Sequence, residues 1–312
     1  MMYPMKDLLC MTQYQAYCTV KQMINKFPKK SVRFKDGEYL VMNQDDNNPK
    51  PMLCIHVDTI NTHCKDSENV ITELLQQQIK YDRETKIYSL PNDCDNRIGC
   101  LGADDRAGLW IMLKILNSTK DIFKYFSFGI FFDEEVGGNG SSAYKKDYPS
   151  YEKGVKCFIG LDRRGVDDVA LYGYDNNDLI NIFEKYGYKR ASGSFTDASN
   201  LSKTVACVNL SVGYDFEHTT AETQNMVGAK ATYDILCEIA QLNALHLDIY
   251  EATVEDDYYG SWRYDSQHSY ADATPYLCDC CGSHEPLYDD GGYLVCSDCV
   301  GLLSDTDMDF RS

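Results

Sequence analysis

Short, nearly continuous apolar runs at 52–57, 126–132, 157–161 and 206–212 recur between longer segments whose apolar positions fall three or four apart. Runs of the first kind suit strands buried on both faces, and segments of the second kind suit amphipathic helices. The helical spacing predicts helices over 6–26, 107–116, 177–186 and 225–242, with a short one from about Thr196. Leu8, Leu9, Met11, Tyr14, Val20 and Met23 form the apolar face of the first. Residues 31–42 read as a hairpin turning at Lys35-Asp36-Gly37, 79–90 as an antiparallel excursion, and 169–174 as part of a hairpin. Strands alternating with helices predict an α/β fold, a mainly parallel mixed sheet sandwiched by helices. In such sheets chemistry collects beyond the carboxyl ends of the strands. His56, Asp58, Asp133, Glu134, Glu135, Asp162 and His218 all fall there.

The pattern changes after residue 243. Residues 244–275 are polar, acidic and tyrosine-rich with weak periodicity, and read as a linker or strap. Residues 276–303 carry paired cysteines, and 304–312 form an acidic tail. The expected organisation is a catalytic domain over 1–243, the linker, a zinc ribbon and the tail.

Charge narrows the classes of function. The 48 acidic and 30 basic side chains leave a net charge of −18, which repels phosphate backbones and anionic lipid. Nucleic acid and membrane are therefore not expected partners, and no segment approaches the length of an apolar membrane span. The N-terminal residues lack a secretory pattern, so a cytoplasmic location is expected. Of the 14 cysteines, nine are scattered singly from Cys10 to Cys237, several within apolar runs, where a thiol behaves as a small core hydrophobe. The other five crowd between Cys278 and Cys299, as metal ligands do in a reducing compartment.

Five segments carry candidate chemistry. In Cys54-Ile55-His56-Val57-Asp58-Thr59, strand alternation turns His56 and Asp58 to one face, where a carboxylate can orient a metal-binding imidazole. In Leu101-Gly102-Ala103-Asp104-Asp105-Arg106-Ala107-Gly108, one aspartate suits a helix cap, and a second suits a carboxylate shared by two metals. Phe131-Phe132-Asp133-Glu134-Glu135-Val136-Gly137-Gly138-Asn139-Gly140 ends a buried strand in three acids, enough for a ligand and a general base. Ile159-Gly160-Leu161-Asp162 and the stretch from Tyr214 to Glu222 around His218 add a further carboxylate and histidine. Histidine, three carboxylates and histidine make a suitable set for two zinc ions sharing a bridging carboxylate.

With these motifs in that order, the chain resembles the co-catalytic dinuclear zinc exopeptidase superfamily, which includes peptidase T, carboxypeptidase G and leucyl aminopeptidases. The resemblance spans roughly residues 52–242, and the segments HVDT, LGADDRAG and FDEEVGGNGS are nearest in character to peptidase T-like enzymes. It implies that His56 and His218 each bind one metal and that Asp104 bridges them, with a peptide to Asp105 that is often cis. It implies that Glu135 and Asp162 complete the two shells, that Asp58 orients His56, and that Glu134 is the general base. Two catalytic zinc ions, with cobalt or manganese as alternatives, are the implied cofactors. The chain departs from peptidase T-like enzymes in one respect: only about 55 residues separate Asp162 from His218, too few for an inserted lid domain. Arg106, Arg163 and Arg164 lie beside the expected ligands, available either to a substrate carboxylate or to the local acids. Ser194-Phe195-Thr196-Asp197-Ala198 matches a stretch at the family's active-site rim, which makes Asp197 a candidate substrate contact beside Arg163.

The C-terminal Cys278-Asp279-Cys280-Cys281-Gly282 and Cys296-Ser297-Asp298-Cys299 predict a structural zinc held by Cys278, Cys281, Cys296 and Cys299, with a turn at Asp289-Asp290-Gly291-Gly292. No lysine or arginine lies between Arg263 and Arg311, which points to a protein-docking or stabilising module and away from nucleic acid. The leading expectation is an exopeptidase on short peptides. The alternatives are an N-acyl amino acid deacylase with the same site, and a non-catalytic adaptor that works through the ribbon.

Overall fold

Two helices open the chain, α1 (Met5–Leu9) and α2 (Gln13–Lys21), where apolar spacing predicts one. A reciprocal cap makes the break: Thr12 Oγ1 accepts from the Gln15 amide at 3.2 Å and Gln15 Oε1 accepts from the Thr12 amide at 3.0 Å. The hairpin follows as expected, β1 (Val32–Lys35) and β2 (Tyr39–Met42), turning at Gly37 with φ of +79°. Then come β3 (Lys50–His56), α3 (Glu68–Gln78), and the antiparallel pair β4 (Lys80–Asp82) and β5 (Ile87–Ser89). Next are α4 (Ala103–Leu116), β6 (Ser127–Phe131), α5 (Asn139–Asp147), β7 (Val155–Arg163), β8 (Asp168–Leu171) and α6 (Asn177–Glu184). The unit closes with β9 (Lys189–Ser192), α7 (Asp197–Leu201), β10 (Cys207–Ser211), β11 (Tyr214–Asp215), β12 (Thr223–Asn225) and α8 (Met226–Gln241). This computed structural model describes residues 3–64, 67–253, 287–290 and 293–296.

Eight strands form one sheet in the order β1-β2-β6-β3-β7-β10-β8-β9. Its centre, β6, β3, β7 and β10, is parallel, and antiparallel pairings join β2 to β6 and β8 to β10. Alternation along the strands fills two separate cores. Leu53, Ile55, Ile159, Leu161, Val208 and Leu210 enter one, against α1, α4 and α8. Met52, Cys54, Phe158 and Cys207 enter the other, with Tyr144 of α5 and Ala198 and Leu201 of α7. Strands so covered read as continuous apolar runs because both of their faces are dry. Each fully buried Leu or Phe contributes roughly 1.5–3 kcal/mol.

Local expectations meet different outcomes. The strand near 169–174 forms no hairpin with β7, because β10 lies between them and β8 pairs with β10 and β9. Helices α3 and α5 go unforeseen: Ile71 and Leu75 are the buried residues of α3, and Tyr144 is the large one of α5, too few to set a helical period. The segment from 244 on does lie on the body as far as residue 253. Tyr250 is fully buried, its amide donates to the Lys156 carbonyl at 2.8 Å, and its carbonyl accepts from the Ala206 amide at 2.7 Å.

Between Asp162 and His218 the chain builds β8 to β11 with α6 and α7, all of them parts of the two sheets or their covering helices, with no inserted lid. A second sheet, β11-β12-β5-β4, ties that region to the excursion after β3. Among the described residues, no helix is long and apolar enough to cross a membrane. Residues 260–312 form a separate unit, of which the antiparallel strands β13 (Leu287–Asp290) and β14 (Tyr293–Cys296) are described, with Asp290 paired to Tyr293. Cys278, Cys281 and Cys299, expected to hold zinc, lie outside the described residues, and Cys296 ends β14.

Candidate metal centre

His56 is the last residue of β3, Asp162 is the last but one of β7, and Glu134 and Glu135 follow the end of β6. Because these strands are parallel neighbours, their carboxyl ends deliver all four to one edge of the sheet. Asp104 arrives from the start of α4, where Asp104 and Asp105 depart from helical φ/ψ, and the peptide between them is cis. His218 arrives on the loop between β11 and β12, with φ of +62°.

The five expected ligands meet. His56 Nε2 lies 2.9 Å from Asp104 Oδ1 and 3.4 Å from Asp162 Oδ1. His218 Nε2 lies 2.9 Å from Glu135 Oε2 and 3.4 Å from Asp104 Oδ2. Asp104 thus presents one oxygen to each histidine, and the two triads His56–Asp104–Asp162 and Asp104–Glu135–His218 each have ligand atoms within 4.8 Å of one another. Between the histidines and these carboxylates the donor set is imidazole nitrogen and carboxylate oxygen, which suits zinc and its neighbours.

Asp58 explains the ring orientation. It is fully buried, and its Oδ1 lies 3.2 Å from His56 Nδ1 and accepts the Glu134 amide at 3.1 Å. Its Oδ2 lies 3.2 Å from His63 Nε2 and accepts the Glu135 amide at 3.1 Å. With Nδ1–H of His56 turned to Asp58, the lone pair on Nε2 would face two carboxylates, an arrangement that calls for a cation or a second ring proton. Glu135 Oε1 is likewise buried without a hydrogen-bond partner. A buried polar atom in that state is costly unless something binds it, so the residues fit a pair of cations.

Charge crowding moves the proton affinities in consistent directions. Burial pushes the Glu134 carboxyl up, with Asp162 and Asp197 adding to it and His56 opposing. Burial and then Asp104 raise Asp162. Burial would raise Asp58 and Asp104 too, but the imidazole contacts outweigh it and hold both well below the usual carboxylate range. The His218 ring is pushed up to about 11 by its contacts with Asp104 and Glu135. On the His56 ring, burial is overcome by Asp162, Asp104 and Asp58, and the proton affinity rises.

Several supporting residues escape sequence reasoning. Glu222 is fully buried and accepts from the amides of Gly102 at 2.7 Å and Asp104 at 3.0 Å, fastening the turn that aims Asp104. Its carboxyl is raised to about 8, mainly by burial. Thr196 Oγ1 and Tyr214 OH donate to the two oxygens of Asp162 at 3.1 and 3.2 Å. Glu222 sits four residues after His218, the one signal that could have marked it. His63 carries none.

The centre opens on a cleft of about 350 Å³ lined by Glu134, Asp162, Tyr172, Phe195 and His218 among others. Arg163 lines it and pairs with Asp168 at 3.4 Å, while Arg164 at its rim pairs with Glu217 at 3.0 Å. Arg106 is buried and donates instead to the carbonyls of Val57 and Met11. Asp197 is buried at the start of α7, outside the set of residues that line the cleft.

No protein-family model matches the chain, and no curated protein matches it. Solved structures do. A tripeptidase from Staphylococcus aureus subsp. aureus Mu50 is similar over 77% of this chain and 96% of its own, at 15% identity and a TM-score of 0.53. The aminopeptidase PepT from Bacillus cereus ATCC 10987 is similar over 78% and 97%, at 15% identity and a TM-score of 0.52. The TET1 peptidase of Pyrococcus horikoshii is similar over 73% and 94%, at 13% identity and a TM-score of 0.50. At such identities the likeness establishes the fold.

Proposed function

We propose that this chain is a metal-dependent hydrolase of peptide or amide bonds, an exopeptidase acting on short peptides. The observation that carries the reading is Asp104, one carboxylate with an oxygen turned to each of two histidines. That the solved structures sharing the fold include a tripeptidase and an aminopeptidase supports it.

His56, Asp162 and Asp104 would hold one cation, and Glu135, His218 and Asp104 the other, with zinc the ion this donor set suits best. Such a pair supplies Lewis acidity, lowering the pKa of the attacking water and polarising the scissile carbonyl. Glu134, at the cleft wall, takes the water's proton and passes it to the leaving amine. Asp58 fixes the His56 tautomer and, through the two amides, the backbone of Glu134 and Glu135. Thr196 and Tyr214 hold Asp162, and Glu222 holds the turn at Asp104. Tyr172 and Phe195 form the aromatic side of the cleft in which the peptide lies. We propose further that Cys278, Cys281, Cys296 and Cys299 hold a structural zinc at 276–303.

Elemental analysis of the full chain, paired with turnover of di- and tripeptides and of N-acyl amino acids, tests this. Two cations beyond the ribbon's, with peptide cleavage, is the expected outcome. Cleavage of acylated amino acids alone would move the assignment to a deacylase. No cation beyond the ribbon's would leave the adaptor.

A further inference from the structure

We infer that His63 is a positioning residue for the cation site, acting through Asp58; this rests on the hydrolase reading above. Asp58 is completely buried, and each of its oxygens meets one imidazole nitrogen and one backbone amide. Three of those four donors belong to residues already assigned to the centre: His56, Glu134 and Glu135. The fourth is His63, which touches none of the proposed ligands through the contact it makes to Asp58 Oδ2.

The approach of His63 is built. It ends a single-turn helix over Ile60–His63, whose side chains are fastened on both sides. Asn61 Oδ1 accepts from the amides of Gly99 at 2.9 Å and Cys100 at 3.3 Å, and its Nδ2 donates to the Cys100 carbonyl at 2.9 Å. Thr62 Oγ1 accepts from the Thr59 amide at 3.1 Å and donates to Glu68 at 3.2 Å. This turn therefore presents the imidazole to Asp58 from the solvent side, with 29% of the His63 side chain exposed. Without His63, Oδ2 of a buried carboxylate keeps only the Glu135 amide, and a carboxylate so under-compensated shifts toward its remaining donors or toward water. That shift loosens the His56 ring and the backbone that carries Glu134 and Glu135. Groups that orient metal ligands from behind typically change affinity or activity 10–100-fold when lost.

The test uses the full chain, stripped with a chelator and reloaded with cobalt(II), for wild type, His63→Ala and His63→Gln. Cobalt affinity is read by competition with a chromophoric chelator, ligand geometry by the visible spectrum, and the fold by the melting temperature of the stripped proteins. Expected for His63→Ala are cobalt binding roughly 10–100-fold weaker, an altered spectrum, a lower kcat at unchanged KM, and a stripped protein that still melts cooperatively, at a somewhat lower temperature. His63→Gln, whose amide nitrogen reaches about as far as the ring Nε2, restores most of the affinity. Wild-type affinity and spectrum in His63→Ala would overturn the inference and leave the hydrolase reading intact. So would loss of one whole cobalt equivalent with the other two unaffected, since His63, Asp58 and Asp133 would then be holding a third cation. A wild-type chain that takes up no cobalt outside the ribbon would sink both.

Discussion

His56 and His218 face opposite oxygens of Asp104, yet they sit in different surroundings. The His56 side chain is 2% exposed on the last residue of a central strand, while that of His218 is 47% exposed on a loop. Behind His56 stands Asp58 with its four contacts, and beside it Asp162 is held by Thr196 and Tyr214. Behind His218 the fastening is indirect: its loop returns through Glu222 to the amides of Gly102 and Asp104. One half of the centre is fixed by the sheet and the other by a loop that grips the shared ligand's own backbone. The closed half should therefore hold its cation tightly, and the open half should exchange it and meet the substrate.

The largest effect falls where the halves join. Asp104→Ala should abolish binding of both cations and turnover with them; elemental analysis showing one cation held at full affinity would separate the halves and break the comparison. Next is Glu134→Gln, which should lower kcat by about 10²–10⁴-fold with both cations retained. Normal turnover in that variant would remove Glu134 from proton transfer. Then the halves can be weighed singly. His218→Ala should release one cation and leave the melting temperature of the stripped protein unchanged. His56→Ala should also strand the Asp58 carboxylate, destabilising the stripped protein by roughly 1–3 kcal/mol, as chemical denaturation would show. Equal stabilities would mean the closed half is no better built than the open one. The smallest effect tests the packing beneath the closed half. A Cβ on Gly108 would lie 2.2 Å from the Leu161 carbonyl oxygen and 2.5 Å from Asp105 Oδ1. Gly108→Ala should thus lose about 1–3 kcal/mol, although alanine ordinarily strengthens a helix.

The sequence exposes the closed half better than what supports it. Runs such as Met52 to Val57 are legible because both faces of β3 are buried, so its apolar character is continuous and its polar ending conspicuous. The order of the candidate ligands was legible because His56, Asp162 and Asp104 lie at a strand end or helix start and Glu135 just beyond a strand, where a polar residue interrupts an apolar run, while His218 stands on a loop without that mark. Helices α3 and α5 were not, since each buries few apolar side chains. Nor was the split between α1 and α2, which two side-chain hydrogen bonds at Thr12 and Gln15 decide against the helical period. His63 and Thr196 were missed for another reason. Their partners are distant in sequence or folded back by a turn, and a residue that orients a ligand has no spacing rule of its own. Arg106 taught the reverse: a guanidinium next to two aspartates turns to backbone carbonyls of Val57 and Met11.

Tyr250 has a practical bearing on where this chain can be cut. Its backbone is stitched to Lys156 ahead of Cys157 in β7 and to Ala206 just before β10, and its ring fills space in the larger core. Trimming at residue 243, where the composition shifts, would pull that plug and leave two central strands with unanswered amide and carbonyl groups at their starting ends. A fragment intended for isolation should keep everything through Thr253, which itself bridges to Asp175.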